Sequence, residues 1–316
     1  MAGGMNWGLA LLALLAACLP ALREARRRPM DAEARLEAPG DIVPLSQGRT
    51  HCRWIGRARG PVVVCVHGLT TPSPAWNALA AHLDRAGFRV LLYDLYGRGY
   101  SDAPRGQQTP RFFARQLRDV LDHYGLDEDV TLIGYSMGAV IAAAFAVEEP
   151  ARLRQLVLVA PAGMGMPMSR VQRFCVEWPW IGDWLFHMLY PAHHARAIAQ
   201  SDAPEEVRAV QRAELTRSGF VPAVLSSLRY SLRKPAPRLH KALAREAVPV
   251  LAVWGDADRV IPISGLGQLA QWNRNARQEV IEGADHGLPF THADDLAQAL
   301  ARLFEAARPR LSTPRD

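Results

Sequence analysis

The run Leu132-Ile133-Gly134-Tyr135-Ser136-Met137-Gly138 constrains this chain more than any other stretch. It carries the spacing Gly134-x-Ser136-x-Gly138. Apolar, β-branched residues 130–133 precede it, and an almost unbroken apolar run, residues 139–146, follows. The first segment reads as a strand and the second as a buried helix. A serine caught between them must sit on a very sharp turn, and the two glycines remove Cβ atoms that would collide there. The turn lifts the Ser136 hydroxyl above the sheet and aims it at the helix start, where amide N–H groups can stabilise a developing oxyanion. That is the setting of a nucleophilic serine.

The rest of the chain has a rhythm that suits such a turn. Residues 41–45 and 50–55 read as a hairpin, and residues 61–66, 88–94, 153–160, 249–255 and 278–281 as further strands. The run Val62-Val63-Val64-Cys65-Val66 has no polar alternation, as expected of a strand covered on both faces. Helical patterns over 76–86, 109–124 and 294–307 fall between or after the strands. Strands alternating with helices predict a doubly wound, mostly parallel α/β sheet. The interval 161–247 breaks the rhythm, because it holds helical pattern and no strand and is far longer than a usual connection. Helices are expected over 169–177, 181–190, 192–200, 204–217 and 222–232. They would form a cap at about 164–246, inserted after the sixth strand of a domain spanning 31–316. The interval is rich in aromatics, including Phe174, Trp178, Trp180, Trp184, Phe186 and Tyr190, which pack the cap onto the sheet or line an apolar pocket.

A serine hydroxyl is a weak nucleophile at neutral pH and needs a base, and histidine is the side chain that titrates near 7. The base needs a carboxylate to hold its tautomer and stabilise the imidazolium. Of ten histidines, His286 stands directly after the last strand, in Gly283-Ala284-Asp285-His286-Gly287. The segment after the preceding strand, Gly255-Asp256-Ala257-Asp258, offers two carboxylates, Asp256 and Asp258. Asp285 adjoins His286, but neighbouring side chains tend to point apart. Asp94 ends an earlier strand and reads as structural, and His67 reads as a brace for the loop it begins. The glycine-rich segment Tyr96-Gly97-Arg98-Gly99-Tyr100-Ser101 lacks the full dinucleotide pattern and opens no helix, so it also reads as structural.

These motifs resemble the α/β-hydrolases with an inserted helical lid, over about residues 41–307. His67-Gly68-Leu69 is similar to the family's oxyanion loop, and Asp94-x-x-Gly97-x-Gly99-x-Ser101 to its glycine-rich segment. Gly134-x-Ser136-x-Gly138 is similar to its elbow, and Gly255-x-x-Asp258-x-x-x-Pro262 to its acid motif, which selects Asp258 over Asp256. His286 stands where the family has its terminal histidine, although Asp285 occupies a position where glycine is frequent. The resemblance implies a serine hydrolase working through Ser136, His286 and Asp258, with the backbone N–H groups of Leu69 and Met137 as oxyanion donors. It implies no metal and no organic cofactor. The expected substrate is a lipophilic carboxylic ester such as a monoacylglycerol. Relatives with the same motifs also cleave carbon–carbon bonds, run cofactor-free peroxidation, or keep the pocket as a non-catalytic receptor.

Charge adds one exclusion. The chain carries a formal +6, but its 37 Lys and Arg form no basic stripe with interleaved aromatics, so nucleic acid is not an expected partner. Part of the excess is terminal, at Arg23, Arg26, Arg27 and Arg28 and at Arg308, Arg310 and Arg315. Four scattered cysteines give no zinc spacing. Residues 1–22 carry no charge and are followed by the arginine cluster. About 20 apolar residues span a bilayer, so residues 1–30 are expected to be a transmembrane anchor with its basic flank. The positive-inside tendency puts the catalytic domain in the cytoplasm. The rival readings are a cleaved or lipidated export signal, prompted by Leu15-Ala16-Ala17-Cys18, and a packed accessory helix.

Overall fold

The computed structural model describes residues 7–306. Helix α1 (Trp7–Ala25) leads into an irregular strap, residues 28–39. Then come β1 (Asp41–Leu45), β2 (Gly48–Ile55), β3 (Val62–Val66), α2 (Asn77–Arg85), β4 (Arg89–Tyr93), α3 (Pro110–His123), β5 (Val130–Tyr135), α4 (Met137–Glu148) and β6 (Leu153–Val159). Helices α5 (Arg170–Glu177), α6 (Ile181–Ala199), α7 (Glu205–Thr216), α8 (Phe220–Ser227) and α9 (Pro237–Leu243) separate β6 from β7 (Val250–Gly255). Helix α10 (Ser264–Trp272), β8 (Arg277–Ile281), α11 (Leu288–Thr291) and α12 (Ala293–Ala306) complete the described chain.

The eight strands form one sheet in the order β1-β2-β4-β3-β5-β6-β7-β8. From β4 to β8 the pairing is parallel, and the β1–β2 hairpin joins β4 antiparallel. This is the expected α/β-hydrolase sheet. Strand β5 is buried at all six positions because helices cover both sheet faces. On one face α4 is apolar on every side, since it is wedged between the sheet, α3 and α9. On the other, Leu79 and Leu83 of α2 and Leu296 and Leu300 of α12 close the second core. The chain winds outward from the middle. Strand β3 connects to β4 on one side, and β4 returns to β5 on the other. Such a reversal opens a crevice at the carboxyl ends of β3 and β5, where ligands bind in open α/β sheets.

Two expectations change. Among the described residues, no helix is long and apolar enough to cross a membrane, which overturns the transmembrane anchor and the cytoplasmic placement built on it. Residues 1–6 of that segment lie outside the described residues. Within α1 the uncharged part ends at Arg23. At about 1.5 Å rise per residue, what precedes it falls short of a hydrocarbon core of about 30 Å. The helix touches α6 and the turn before α8: Trp184 Nε1 donates to Ala16 O at 2.8 Å, and Glu24 accepts from the Gly219 N–H. The second change is in α6, which runs straight through Pro191 where a break between 190 and 192 was expected. Its stacked rings Phe186–Tyr190 (4.5 Å) and Tyr190–His194 (5.2 Å) lie one turn apart and end on Phe220, so tertiary packing offsets the hydrogen bond the proline lacks. The basic residues Arg308, Arg310 and Arg315 lie outside the described residues.

Candidate active site

The turn between β5 and α4 holds Ser136 at φ 54° and ψ −115°, a conformation that costs about 1–3 kcal/mol in a residue with a side chain. The surroundings enforce it. Ser136 N–H donates to Val159 O at 2.9 Å, and Ser136 O accepts from Ala162 N–H at 3.1 Å. A Cβ on Gly134 would lie 2.4 Å from Gly138 O, and one on Gly138 would lie 2.2 Å from Val66 O. Either glycine replaced by alanine would therefore push the turn off the sheet.

Two loops from distant parts of the chain meet the serine. His286 follows β8, and its Nε2 lies 3.0 Å from Ser136 Oγ. Its Nδ1 lies 2.8 Å from Asp258 Oδ2. The other oxygen of Asp258 accepts from the N–H groups of Val260 and Ile261, both at 2.8 Å. This carboxylate is buried and held from both sides, so it can only present Oδ2 to the ring. A carboxylate accepts, so Nδ1 carries the proton and Nε2 is free to accept from the serine hydroxyl.

The competing carboxylates face elsewhere. Asp256 accepts from Gly283 N–H at 2.7 Å. Asp285 accepts from Gly287 N–H at 2.8 Å and from the Thr291 hydroxyl at 3.3 Å, closing the turn after His286. Asp94 accepts from Ser73 N–H (2.9 Å), Tyr100 N–H (3.0 Å) and His51 (2.7 Å).

The family model for serine aminopeptidase, S33, matches residues 57–291 of the chain, a span that contains Ser136, Asp258 and His286. The chain belongs to this family. The S33 chain is 27% identical over 273 residues to a 2-hydroxy-6-oxononadienedioate/2-hydroxy-6-oxononatrienedioate hydrolase of Klebsiella pneumoniae, covering 82% of this chain and 92% of the relative. It is 26% identical over 263 residues to a pimeloyl-[acyl-carrier protein] methyl ester esterase of Vibrio parahaemolyticus, covering 78% and 95%. Among solved structures, an esterase from Exiguobacterium antarcticum superposes with a TM-score of 0.71 at 20% identity, over 84% of this chain and 99% of that one. That last likeness concerns the fold.

The S33 site also contains residues that motif reading did not single out as functional. Tyr135 donates its hydroxyl to His286 O at 2.7 Å and lies against the imidazole with ring centroids 5.2 Å apart, so it props the histidine loop. His67 braces the loop after β3. Burial lowers its pKa to about 4, so the ring is neutral. Leu95 N–H donates to Nε2 at 2.9 Å, which leaves the proton on Nδ1, 2.8 Å from Gly68 O. The Gly68–Leu69 peptide is trans, so fixing its carbonyl also fixes the opposite direction of the Leu69 N–H. Arg98 is fully buried. It donates from Nε to Leu69 O (3.0 Å), from Nη1 to Gln108 Oε1 (2.7 Å) and from Nη2 to Ser227 Oγ of α8 (2.9 Å). Only its place between Gly97 and Gly99 hints at this in the sequence. Met137, by contrast, was expected as an oxyanion donor, and as the first residue of α4 it has one of the N–H groups that a helix start leaves without an internal partner.

Proposed function

We propose that this hydrolase cleaves carboxylic esters through an acyl-enzyme. Ser136 attacks the carbonyl carbon, His286 takes its proton and returns it to the leaving alcohol, and Asp258 holds the ring and stabilises the imidazolium. The N–H groups of Leu69 and Met137 stabilise the tetrahedral oxyanion, each worth about 3–4 kcal/mol of barrier. Water then attacks the acyl-enzyme with His286 again as base. The observation that carries this reading is the continuous line Asp258 Oδ2–His286–Ser136 Oγ at 2.8 and 3.0 Å, on a serine held in a strained turn.

Helices α5–α9 act as the cap, at about residues 164–246 of a 31–316 hydrolase domain. The substrate proposed is a lipophilic acyl ester. Support comes from apolar side chains of the cap: Val171, Phe186, Leu189 and Tyr190, with Ser169, Gln172 and His193, line an open groove of about 310 Å³ between α5 and α6. The Vibrio relative's name, a methyl ester esterase, points the same way. A second reading, hydrolysis of a carbon–carbon bond in a ring-cleavage product, is favoured by the name of the Klebsiella relative.

A panel of p-nitrophenyl esters of rising chain length tests the proposal, with a fluorophosphonate as active-site label. Labelling of wild type and none of Ser136→Ala, with rates rising beyond acetate, is the expected result. Labelling without ester turnover, and turnover of a 2-hydroxy-6-oxodienoate instead, moves the assignment to the second reading. No labelling at all removes the nucleophile and makes the protein a binding relative.

A further inference from the structure

Helix α7 of the cap is fastened to the sheet domain by polar side chains. Gln211 and Glu214 of α7, and Arg217 directly after it, recur at i, i+3 and i+6 and so share one side of the helix. All three reach loops at the carboxyl ends of the strands. Gln211 Nε2 donates to the Thr71 hydroxyl at 2.7 Å, in the loop after β3. Glu214 accepts from Gly99 N–H with both oxygens, at 3.1 and 3.2 Å, in the glycine-rich turn after β4. Arg217 donates from Nη2 to Ser101 O in the same turn. Glu214 and Arg217 are both buried.

The two loops meet at Leu69. Arg98, the residue before Gly99, donates from Nε to Leu69 O at 3.0 Å, and Ser227 of α8 holds the same guanidinium at 2.9 Å. One line of contacts therefore runs from the cap through Glu214, Gly99 and Arg98 to Leu69. A second reaches Thr71, two residues beyond Leu69, from Gln211. Gly99 sits at φ 53°, and a Cβ there would lie 2.0 Å from Asp94 Oδ2, so the turn has little room to adopt another shape in place. Without Glu214 the Gly99 N–H must find another acceptor, and the turn that carries Arg98 moves with it. An α7 that lifts from the sheet domain breaks the bonds to both loops together.

Oxyanion stabilisation depends on where a donor is fixed before the reaction, and small displacements of it are costly in rate. Building on the proposed role of Leu69 as an oxyanion donor, we infer that Glu214 and Gln211 are positioning residues that hold the Leu69 N–H in place, so that the seating of the cap sets the rate of the chemical step. Burial raises the Glu214 pKa to about 7. Carboxylate and carboxylic acid alike offer an oxygen lone pair to Gly99 N–H. A glutamine there keeps such a lone pair without the charge, and a leucine keeps neither.

Steady-state hydrolysis of p-nitrophenyl butyrate and inhibition by n-butylboronic acid test this on the full chain. The boronate forms a tetrahedral adduct on Ser136, so its Ki follows the oxyanion donors as kcat does. Glu214→Leu should lower kcat by about tenfold or more and raise the boronate Ki by a similar factor, with KM within about threefold of wild type. Glu214→Gln should bring kcat back to within about threefold of wild type. Added to Arg98→Met, Glu214→Leu should cost less than about threefold more, because both act through Leu69. If Glu214→Leu does not fold, Gln211→Met decides, with kcat expected to fall by about threefold or more at constant KM. Unchanged kcat and Ki in the deciding variant, a loss confined to KM, a glutamine variant as impaired as leucine, or fully additive losses with Arg98→Met overturn the inference, while wild-type turnover leaves the ester-hydrolase reading standing. Wild type without ester turnover removes that reading, and the role of Leu69 with it.

Discussion

Among the described residues, two histidine–aspartate pairs with a buried carboxylate have nearly the same bond length. His286 and Asp258 lie 2.8 Å apart, and His51 and Asp94 lie 2.7 Å apart. Both aspartates are buried near the carboxyl edge of the sheet. What differs is the far side of each ring. His286 Nε2 faces Ser136 Oγ, whereas His51 Nε2 meets a backbone carbonyl at Pro39. A carbonyl can only accept, so the His51 ring donates from both nitrogens and is held as an imidazolium. Burial opposes that charge, but the Asp94 carboxylate outweighs it and the His51 pKa is raised. A carboxylate behind a histidine therefore does not make a base. An acceptor lone pair facing a hydroxyl does, and the partner on the second nitrogen decides whether that lone pair exists.

The largest expected effects belong to the first pair. Ser136→Ala or His286→Ala should lower kcat for a p-nitrophenyl ester by about 10⁴-fold or more, and Asp258→Asn should approach that loss by favouring the wrong tautomer. Steady-state kinetics on folded protein checks this, and a loss under tenfold for any of the three would break the contrast. Next comes Arg98→Met, which removes the bond to Leu69 O. A misplacement of about 1 Å at the donor loop costs on the order of 10²-fold, so kcat should fall by about that factor with a smaller change in KM. A loss confined to KM would instead make Arg98 a substrate-binding residue.

The second pair should respond in stability rather than rate. His51→Ala leaves Asp94 buried without its cation, which typically costs about 3–5 kcal/mol, while kcat of the folded fraction should stay within a few-fold of wild type. Urea unfolding followed by activity at low denaturant separates the two. The smallest effect is in pH. A raised histidine pKa adds stability that is complete below the unfolded value of 6.5 and lost as pH rises through the folded one. Glu214, raised to about 7 from 4.5 by burial, loses its contribution earlier, as pH climbs from 4.5 to 7. The melting-temperature gap between wild type and His51→Gln should therefore narrow from pH 6 to pH 9. A gap that widens would mean His51 is neutral in the fold.

Much of this was legible without coordinates. Residues 130–146 specify strand, turn and helix locally, because the apolar run and two glycines leave the backbone few alternatives. The acid was open between Asp256 and Asp258 until motif spacing was weighed, and their different partners, Gly283 N–H and His286, depend on where β8 ends. The arginine-flanked apolar N-terminus misled, because hydrophobicity alone does not say how long the apolar part of the helix that carries it is, and within α1 that part is too short to cross a bilayer. Pro191 misled likewise, since propensity does not include the aromatic stack that carries α6 through it.

The sequence by itself determined the alternation of strands and helices and the strained serine turn, since both arise from short-range sterics and periodic hydrophobicity. Only the tertiary structure decided that His51 spends both ring nitrogens while His286 keeps a lone pair for Ser136, and which arginines end with unmade hydrogen bonds. Those outcomes depend on hydrogen-bond partners brought together across more than a hundred residues, such as Ser136 with His286 and Arg217 with Ser101. No local pattern encodes such partners.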